Sequence, residues 1–463
     1  MKRVLLLHQN FVGAGEAGNA RALHLIEALE ERGFLVELLC TNESYLGDCR
    51  ERAESAEHDG GLTIRRFDGA SRRSGLRRRS GSYLSFAWKC LQALPTLPPI
   101  DLVYATSPPL PQVFTSMLAA EFWRCPMVLE VRDLWPAFLE EGGLLRSPAL
   151  ILAARALEMA AYHNAVHVVV TSPGFAPYLE AMGVPPEAIT VAPTGVDPKL
   201  AAADPSLGST WRERNGVADR TLVLYAGSFN EAYGIDRLIE AAAKLAPALP
   251  AVDWLFAGNG RARAAVERAA QEQPNVRYLG SLPKGELIPV LLAADIGVNT
   301  HAAWPLLDTT LTGKLFDYMA VGLPIVSVRG GQMGLLIERA GAGLVAESPS
   351  ADGLCGAIHR LAQMSRADRR AMGARARAWA LSRVAAPASA KKIVDVLERT
   401  LEAAPRRRRG TVLRSSLAAA RNVATSCDRR ARKALYGDCK EATLQAAFDR
   451  WLPFEEQRRS GPP

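Results

Sequence analysis

The apolar positions of the chain fall into short runs of Val, Leu and Ile that alternate with segments of helical periodicity. The first half holds such runs at residues 4–7, 35–40, 102–104, 127–130 and 166–170, with helical segments at 21–32 and 112–122. The second half holds runs at residues 222–225, 254–257, 276–279, 296–299, 325–328 and 344–345, with helical segments at 235–245, 261–271, 287–293 and 315–321. A strand that helices cover on both faces is apolar throughout, which is typical of parallel sheets. The pattern therefore predicts an α/β fold with two doubly wound, Rossmann-like domains.

A cluster of Pro, Gly and Asp at residues 191–198 interrupts this alternation and predicts a linker. We expect an N-terminal domain over residues 1–192, a C-terminal domain over residues 193–404 that ends in helices, and a basic helical extension over residues 405–463. Open parallel sheets bind their ligands at the carboxyl ends of the strands. The functional residues should therefore lie in loops after strands, where the two domains face each other across a cleft.

The formal net charge of +8 is concentrated at the end of the chain. Residues 405–463 hold twelve Arg and two Lys against three Asp and three Glu, so the rest of the chain is neutral. Because an enzyme that binds nucleic acid usually carries its basic surface on the folded body, we expect no nucleic-acid partner. The seven cysteines form no C-x-x-C pair, which favours reduced thiols in the cytoplasm and no metal site.

A second group of basic residues consists of Arg72, Arg73, Arg77, Arg78 and Arg79. It precedes residues 83–91, which have the aromatic and apolar face of an amphipathic helix. A basic loop beside such a helix can bind anionic lipid. This segment and the basic extension therefore predict peripheral association with the inner face of the cell membrane. The alternative is a solvated loop beside an ordinary core helix. The longest apolar stretch, residues 149–170, contains charged side chains and predicts no membrane span.

Gly13, Gly15 and Gly18 form a G-x-G-x-x-G pattern after the first predicted strand. The same pattern occurs in NAD(P)-binding folds, but there the glycines follow the strand directly. Here residues 8–12 intervene. The pattern therefore favours a loop that offers backbone N–H groups to an anion or a sugar over the site of a dehydrogenase.

One strand end and one helix start carry candidate polar contacts. Arg132 and Asp133 follow the first of them, where they either point into the cleft or pair with each other. A helix that starts near Gly313 would place Lys314 and Asp317 on neighbouring faces. A lysine there can neutralise a diphosphate, and a carboxylate can accept two hydrogen bonds from the hydroxyl groups of a ribose.

Two further strand ends of the second half are rich in small residues. They carry Gly227 and Ser228 in one loop and Gly258 and Gly260 in another. Where such a loop opens a helix, several N–H groups converge and the helix dipole favours an anion. Both loops are candidate phosphate sites, although glycine also serves simply to turn the chain.

Three segments together resemble glycosyltransferase family 4. They are Glu-Val-Arg-Asp-Leu-Trp-Pro at residues 130–136, Val-Ala-Pro-Thr-Gly-Val-Asp at residues 191–197, and Gly-Lys-Leu-Phe-Asp-Tyr-Met-Ala-Val-Gly-Leu-Pro at residues 313–324. The chain is most similar to the bacterial branch that builds O-antigen, capsule and exopolysaccharide. The resemblance implies a GT-B fold, metal-independent transfer with retention at the anomeric carbon, and a nucleotide-sugar donor held by the C-terminal domain.

With this resemblance, each candidate residue receives an expected role. Asp133 and Lys314 are assigned to catalysis. Lys314 is expected to stabilise the negative charge of the departing diphosphate, and Asp133 is expected to orient the acceptor hydroxyl or the sugar. The remaining assignments are donor binding by Gly227, Ser228, Gly258, Gly260, Asp317, Gly330 and Gly331, and closure over the sugar and acceptor by Gly13, Gly15 and Glu16. A UDP-sugar is the favoured donor, the acceptor is lipid-linked or a saccharide, and no cofactor or metal is expected.

Two positions depart from the family pattern. Thr309 stands where the family often has the first of two glutamates, with Asp317 at the second, and Tyr233 stands where a lysine is common. Three other functions are therefore kept as alternatives: a nucleotide-sugar 2-epimerase of the same fold, an NAD(P)-binding oxidoreductase and a scaffold without activity.

Overall fold

The computed structural model of the protein describes residues 1–11, 13, 20–42, 55–68, 76–328, 330–403, 426–437 and 440–453. An eight-stranded sheet forms the centre of the N-terminal lobe, with the strand order β3-β4-β2-β1-β5-β6-β7-β8. Its strands are β1 (Arg3–Leu7), β2 (Leu35–Thr41), β3 (Ser55–Asp59), β4 (Leu62–Phe67), β5 (Leu102–Ser107), β6 (Met127–Val131), β7 (His167–Val170) and β8 (Ile189–Val191). All neighbours are parallel except β3 and β4, which are antiparallel.

A six-stranded parallel sheet forms the centre of the C-terminal lobe, with the order β11-β10-β9-β12-β13-β14. Its strands are β9 (Thr221–Ala226), β10 (Val252–Ala257), β11 (Val276–Gly280), β12 (Ile296–Asn299), β13 (Ile325–Val328) and β14 (Gly343–Ala346). In both sheets the chain reverses its winding direction next to the first strand, as the doubly wound prediction requires.

Helices cover both faces of each sheet. In chain order they are α1 (Arg21–Glu31), α2 (Leu76–Ala93), α3 (Leu110–Phe122), α4 (Ala137–Glu141), α5 (Pro148–Asn164), α6 (Ala176–Ala181), α7 (Pro198–Ala201), α8 (Ser206–Arg214), α9 (Ile235–Leu245), α10 (Arg263–Glu272), α11 (Lys284–Ala293), α12 (Gly313–Ala320), α13 (Gly331–Ala340), α14 (Ala351–Gln363), α15 (Arg366–Arg383), α16 (Ala386–Ala403), α17 (Ser426–Tyr436) and α18 (Lys440–Trp451). Alternate residues of β1 are therefore buried on opposite faces of the sheet. Leu5 and Leu7 belong to one apolar cluster, and Val4 and Leu6 belong to another on the opposite face.

The chain crosses between the lobes twice at one place. Val196 of the linker pairs with the backbone of residues 384–386, donating to Val384 O at 2.8 Å and accepting from Ala386 N at 2.8 Å. Helix α16 then returns to the N-terminal lobe, where Ile393 and Leu397 join the apolar cluster of α1. The terminal helices were expected to belong to the C-terminal domain, but α16 packs on the other lobe. The remaining domain limits stay a prediction.

The predicted α/β class is confirmed, and every apolar run that was predicted as a strand lies on one. The pattern missed β3, β4 and β8. Strand β3 reads Ser-Ala-Glu-His-Asp and lies at the edge of the sheet. Such a strand has no apolar run because it is not covered on both faces, and its polar sequence is indistinguishable from a loop.

Candidate active site

The carboxyl ends of the two sheets face each other. Ser172, two residues after β7, donates from its Oγ to the carbonyl of Thr309 at 2.5 Å. On the same side, the N–H group of Leu306 points at the carboxylate of Glu141 in α4, at 3.3 Å. The loops that follow β6 and β7 in one lobe and β12 in the other therefore border a common space. This is where the predicted site residues should be found.

Helix α12 carries Lys314 and Asp317. The apolar side chains of the helix are buried in the C-terminal lobe, and Tyr318 Oη accepts a hydrogen bond of 2.9 Å from the N–H group of Ala226 at the end of β9. These contacts fix one face of α12, and the two charged residues, three positions apart, lie on neighbouring faces beside it.

Two tyrosines and a glycine surround the amine of Lys314. Its Nζ lies 3.7 Å from the ring centre of Tyr233 and 4.8 Å from that of Tyr225, and it donates to Tyr225 Oη at 3.3 Å. A Cβ atom on Gly227, where φ is +148°, would come within 2.9 Å of Lys314 Cε. Glycine is needed here because any side chain would displace the lysine.

No carboxylate within the described part of the chain pairs with Lys314. Burial lowers the pKa of its amine to about 7. Aromatic faces attract a cation without neutralising it, so the charge remains uncompensated in a partly dry setting. Such a group gains stability when an anion binds beside it.

Tyr233, which departs from the family pattern, contacts Lys314. The family commonly has a lysine at this position, and here the tyrosine ring supports the ammonium group of Lys314 instead. The loop before α9 therefore supplies no positive charge at this position, and the cation beside the ring is Lys314 of α12.

Asp317 offers a free carboxylate. It accepts no hydrogen bond from any described residue. Burial raises the pKa of its carboxyl group to about 6; Lys284 opposes this shift and Asp197 adds to it. These two neighbours pair with each other at 3.0 Å. Asp317 is therefore mostly ionised at pH 7 and can accept hydrogen bonds from a diol.

Gly330 and Gly331 begin α13, with φ values of +93° and +66°. Their N–H groups have no acceptor among the residues that the structure describes. The first N–H groups of a helix lack partners within it and carry the positive end of its dipole. In the described structure these two N–H groups are therefore available to a ligand, and their assignment to donor binding stays a prediction.

The glycine loops after β9 and β10 differ from the expectation. The N–H groups of Gly227 and Gly258 donate to backbone carbonyls at 2.9 and 2.7 Å, and that of Gly260 donates to Asn259 Oδ1 at 2.8 Å. A Cβ atom on Gly258 or Gly260 would clash with the backbone of residues 227–229. These glycines allow two loops to pack closely, which corrects the expectation that their N–H groups are open to phosphate. In the described structure, the N–H group of Ser228 has no acceptor.

In the N-terminal lobe, Asp133 is separated from its neighbour Arg132. The guanidinium of Arg132 contacts His8 Nε2 at 3.1 Å and donates to the carbonyl of Pro108 at 3.0 Å. Burial raises the pKa of Asp133 to about 6, with Arg132 opposing, while burial lowers the pKa of His8 to about 3. Within the described residues the Asp133 carboxylate has no hydrogen-bond or ion-pair partner, so the alternative of a structural salt bridge with Arg132 is wrong.

The glycine loop after β1 is described only in part. Gly13 is half-buried, whereas Gly15 and Glu16 lie outside the described residues. The same holds for residues 72–75 and for Arg406 to Arg409. The assignments of these residues stay predictions.

Thr309 does not face the site. It is fully buried, and its Oγ1 donates to the carbonyl of Leu306 at 2.6 Å. The adjacent Asp308 and the nearby His301 are two polar groups that sequence reasoning missed. They follow β12, and their position after a buried strand was the signal that could have identified them. Among the described residues, no group of three or more His, Cys, Asp or Glu side chains is arranged to hold a metal ion.

Comparison with known families agrees with this geometry. Residues 17–195 match the model of a glycosyl transferase 4-like domain, and residues 220–364 match that of glycosyl transferases group 1. Together the matches cover well over half of the chain and occur in the order of the two lobes. The chain belongs to this family of two-domain glycosyltransferases.

Curated relatives of this chain include two mannosyltransferases. The GDP-mannose-dependent monoacylated alpha-(1-6)-phosphatidylinositol monomannoside mannosyltransferase of Corynebacterium glutamicum is 31% identical over 167 residues, which cover 35% of this chain and 44% of the relative. The GDP-mannose-dependent alpha-(1-6)-phosphatidylinositol monomannoside mannosyltransferase of Mycolicibacterium smegmatis is 29% identical over 205 residues, 42% of this chain and 53% of the relative. The chain thus spans about half the length of these relatives.

Solved structures share the glycosyltransferase fold over most of the chain. Anabaena HepE in complex with UDP has a TM-score of 0.63 and 18% identity, and covers 86% of this chain and 100% of its own. Sucrose-phosphate synthase from Thermosynechococcus elongatus has a TM-score of 0.68 and 19% identity, and covers 87% of this chain and 100% of its own. The predicted GT-B fold is therefore confirmed.

Proposed function

We propose that this protein transfers a hexosyl group from a nucleoside diphosphate sugar to a lipid-linked or saccharide acceptor, with retention at the anomeric carbon. The observation that carries the proposal is the amine of Lys314, which has no carboxylate partner among the described residues and is held 3.7 Å from the Tyr233 ring and next to the Gly227 loop. With a pKa of about 7 this amine is partly protonated near pH 7, and an anionic ligand beside it stabilises the protonated form. The free carboxylate of Asp317 lies one helical turn away and suits the ribose of the same ligand.

In this reaction the anomeric carbon exchanges its bond to the diphosphate oxygen for a bond to the acceptor oxygen. The acceptor proton passes to an oxygen of the departing diphosphate. Negative charge grows on that diphosphate in the transition state, so donors that point at it lower the barrier. Lys314, Ser228 and the N–H groups of Gly330 and Gly331 are the groups for this role, and no divalent ion is needed. Asp133 orients the acceptor hydroxyl by accepting its hydrogen bond.

The donor base is the least constrained part of the proposal. UDP remains the first candidate, and the printed names of the curated relatives make GDP-mannose the second. Binding of UDP, GDP, UMP and GMP, measured by titration calorimetry, separates the two. We expect a diphosphate to bind at least tenfold more tightly than its monophosphate, about 1.4 kcal/mol, because the second phosphate reaches the positive groups.

We further assign the enzyme to cell-surface polysaccharide synthesis at the inner face of the membrane. Leu84 and Trp88 of α2 are each 62% exposed and lie four residues apart on one helix face. The same helix begins within the arginine cluster, and apolar side chains beside basic ones bind anionic bilayers. No helix among the described residues is long and apolar enough to span a bilayer.

Sedimentation with vesicles tests this surface. Trp88→Ser should weaken binding to vesicles that contain phosphatidylglycerol, whereas Leu207→Ser, a control at an exposed position of α8, should not. Equal binding by the two variants removes the membrane assignment and leaves the transfer reaction untouched.

Activity decides the proposal itself. Wild-type protein should release nucleoside diphosphate from a sugar donor only when an acceptor is present, and EDTA should not abolish the reaction. Release without an acceptor would favour the epimerase. Tight NAD(P) binding would favour the oxidoreductase, and absence of binding to UDP and GDP would favour the inactive scaffold. Activity that is lost in EDTA and restored by manganese contradicts the role of Lys314.

A further inference from the structure

The C-terminal helices α17 and α18 form a strap that lies across both lobes. Ala431 and Leu435 of α17 belong to the apolar core of the N-terminal lobe, and Phe448 of α18 belongs to that of the C-terminal lobe. Polar contacts likewise link α17 to the N-terminal lobe and α18 to the C-terminal lobe. Tyr436 Oη donates to Glu141 at 3.1 Å on one side, and Gln332 Nε2 of α13 donates to the carbonyl of Leu444 at 2.9 Å on the other. This part of the basic extension is therefore built into the folded body.

Lys440, the first residue of α18, forms an ion pair with Asp308 Oδ2. Both side chains are largely buried, with 15% and 23% exposure. Asp308 lies in the short helix Pro305–Thr309, whose backbone packs so tightly on Gly331 that any Cβ atom there would clash with it. Asp308 Oδ1 lies 3.7 Å from the position of a Cβ atom on Gly330. The carboxylate is thus beside the free N–H groups at the start of α13.

His301 connects this ion pair to the lysine of the proposed donor site. Its side chain is 4% exposed, and its Nδ1 lies 2.7 Å from the carbonyl of Ala302. Its Nε2 lies 3.8 Å from Asp308 Oδ1 and has no hydrogen-bond partner among the described residues. Burial lowers the pKa of His301, and the charges of both Lys314 and Lys440 lower it further while Asp308 opposes them. The charges of both lysines therefore act on His301, although the two residues lie in different parts of the chain.

A bare carboxylate at this position would oppose the binding of a diphosphate. The positive end of the α13 dipole attracts any anion nearby. Asp308 without a partner would occupy that field and repel a second anion, and the repulsion is strong because little water screens it. Paired with Lys440, the same carboxylate contributes no net charge.

We propose that Lys440 is a positioning residue of the donor site, which neutralises Asp308 so that the N-terminus of α13 stays available to the diphosphate of the donor. The inference rests on the proposed function and assigns part of the donor site to the C-terminal strap. The competing explanation is that the ion pair only fastens the strap to the body.

A double-mutant cycle separates these explanations because they predict opposite effects of Asp308→Asn. Each variant is titrated with UDP and with GDP by calorimetry, and its unfolding temperature is measured. If Lys440 compensates charge, Lys440→Met weakens binding by about tenfold, the scale of an anion at a partly buried helix terminus. Asp308→Asn tightens binding by about threefold, because Lys440 then adds a net positive charge. The variant with both changes binds within about threefold of wild type, since no net charge remains.

A fastening role predicts that the two single variants weaken binding alike and that the double variant is no better; this result overturns the proposal. Arg450→Met is the matched control, because Arg450 also lies on α18 and pairs with Glu180 of the other lobe at 3.0 Å. It should bind like wild type. If Lys440→Met fails to fold, Asp308→Asn alone decides, since weaker binding by that variant contradicts charge compensation.

The controls also separate this inference from the proposed function. A wild-type protein that binds neither UDP nor GDP overturns both. Wild-type binding that is lost in Lys314→Met and retained in Lys440→Met overturns only the role of Lys440.

Discussion

Lys314→Met is the change that tests the proposed chemistry most directly. Methionine has a similar length and flexibility, so it can fill the space beside Gly227 and Tyr233 without the charge. A preorganised donor that points at developing charge contributes about 3 kcal/mol in a closed site. Because each 1.36 kcal/mol corresponds to a factor of ten, kcat should fall by about a hundredfold or more.

The same change should stabilise the protein without ligand at low pH. In the folded state burial lowers the pKa of Lys314 to about 7, whereas its ordinary value is 10.5. Between these two values the unfolded chain binds more protons than the folded chain, so wild-type stability rises with pH across this window. Below pH 7 the folded state carries the full cost of a buried charge. Lys314→Met removes that cost, and its unfolding temperature at pH 6 should exceed that of wild type.

Two measurements therefore move in opposite directions. Initial rates with a donor and an acceptor should fall, while the unfolding temperature at pH 6 should rise. The control is Lys391→Met, because Lys391 is exposed on α16, and it should change neither quantity. A variant Lys314→Met that transfers sugar at a rate near that of wild type would refute the assignment of the diphosphate to this amine.

Three more changes follow from the geometry of the site. Asp317→Asn should weaken binding of a ribonucleoside diphosphate by about ten- to a hundredfold, the scale of hydrogen bonds to a charged group, and should not weaken binding of the 2′,3′-dideoxy analogue; equal losses would contradict a ribose contact. Asp133→Asn should lower kcat and leave the Kd of the donor unchanged in calorimetry. Because burial raises the pKa of Asp133 to about 6, wild-type activity that needs its ionised form should decline below that pH, and an unchanged acid limb in the variant would argue against this role. Gly331→Ala should lower both the unfolding temperature and the donor affinity, because its Cβ atom would displace the backbone of Asp308; the control Gly285→Ala, on the exposed side of α11 with no atom within 4 Å of the new Cβ atom, should preserve both.

The two sheets could be predicted because each of their central strands is apolar over its whole length. The runs at residues 4–7 and 222–225 contain only aliphatic and aromatic side chains, so they are stable only when they are buried on both faces. The apolar run alone therefore identifies each of them as a buried strand. The same kind of reasoning predicted a helix that starts near Gly313 and carries Lys314 and Asp317, and the structure has this helix at Gly313–Ala320. Predictions of this kind depend only on local spacing.

The roles of the glycines show where local spacing fails. Gly258 and Gly330 both follow strands, and both have a positive φ. Only the tertiary structure shows that the N–H group of Gly258 already donates to the carbonyl of Gly280, and that the N–H group of Gly330 has no acceptor among the described residues. Hydrogen-bond partners that are distant in sequence decide between a site and a close contact.

The sequence by itself determined the class of the fold, the family and the helix that carries the principal lysine. Tertiary structure decided which charges act together. It brought Tyr233 under the ammonium group of Lys314, and it carried Lys440 across 132 positions to Asp308. The physical reason is that secondary structure follows from the solvation of neighbouring residues, whereas the strength of a charge depends on all groups and all water within a few ångströms of it, wherever they lie along the chain.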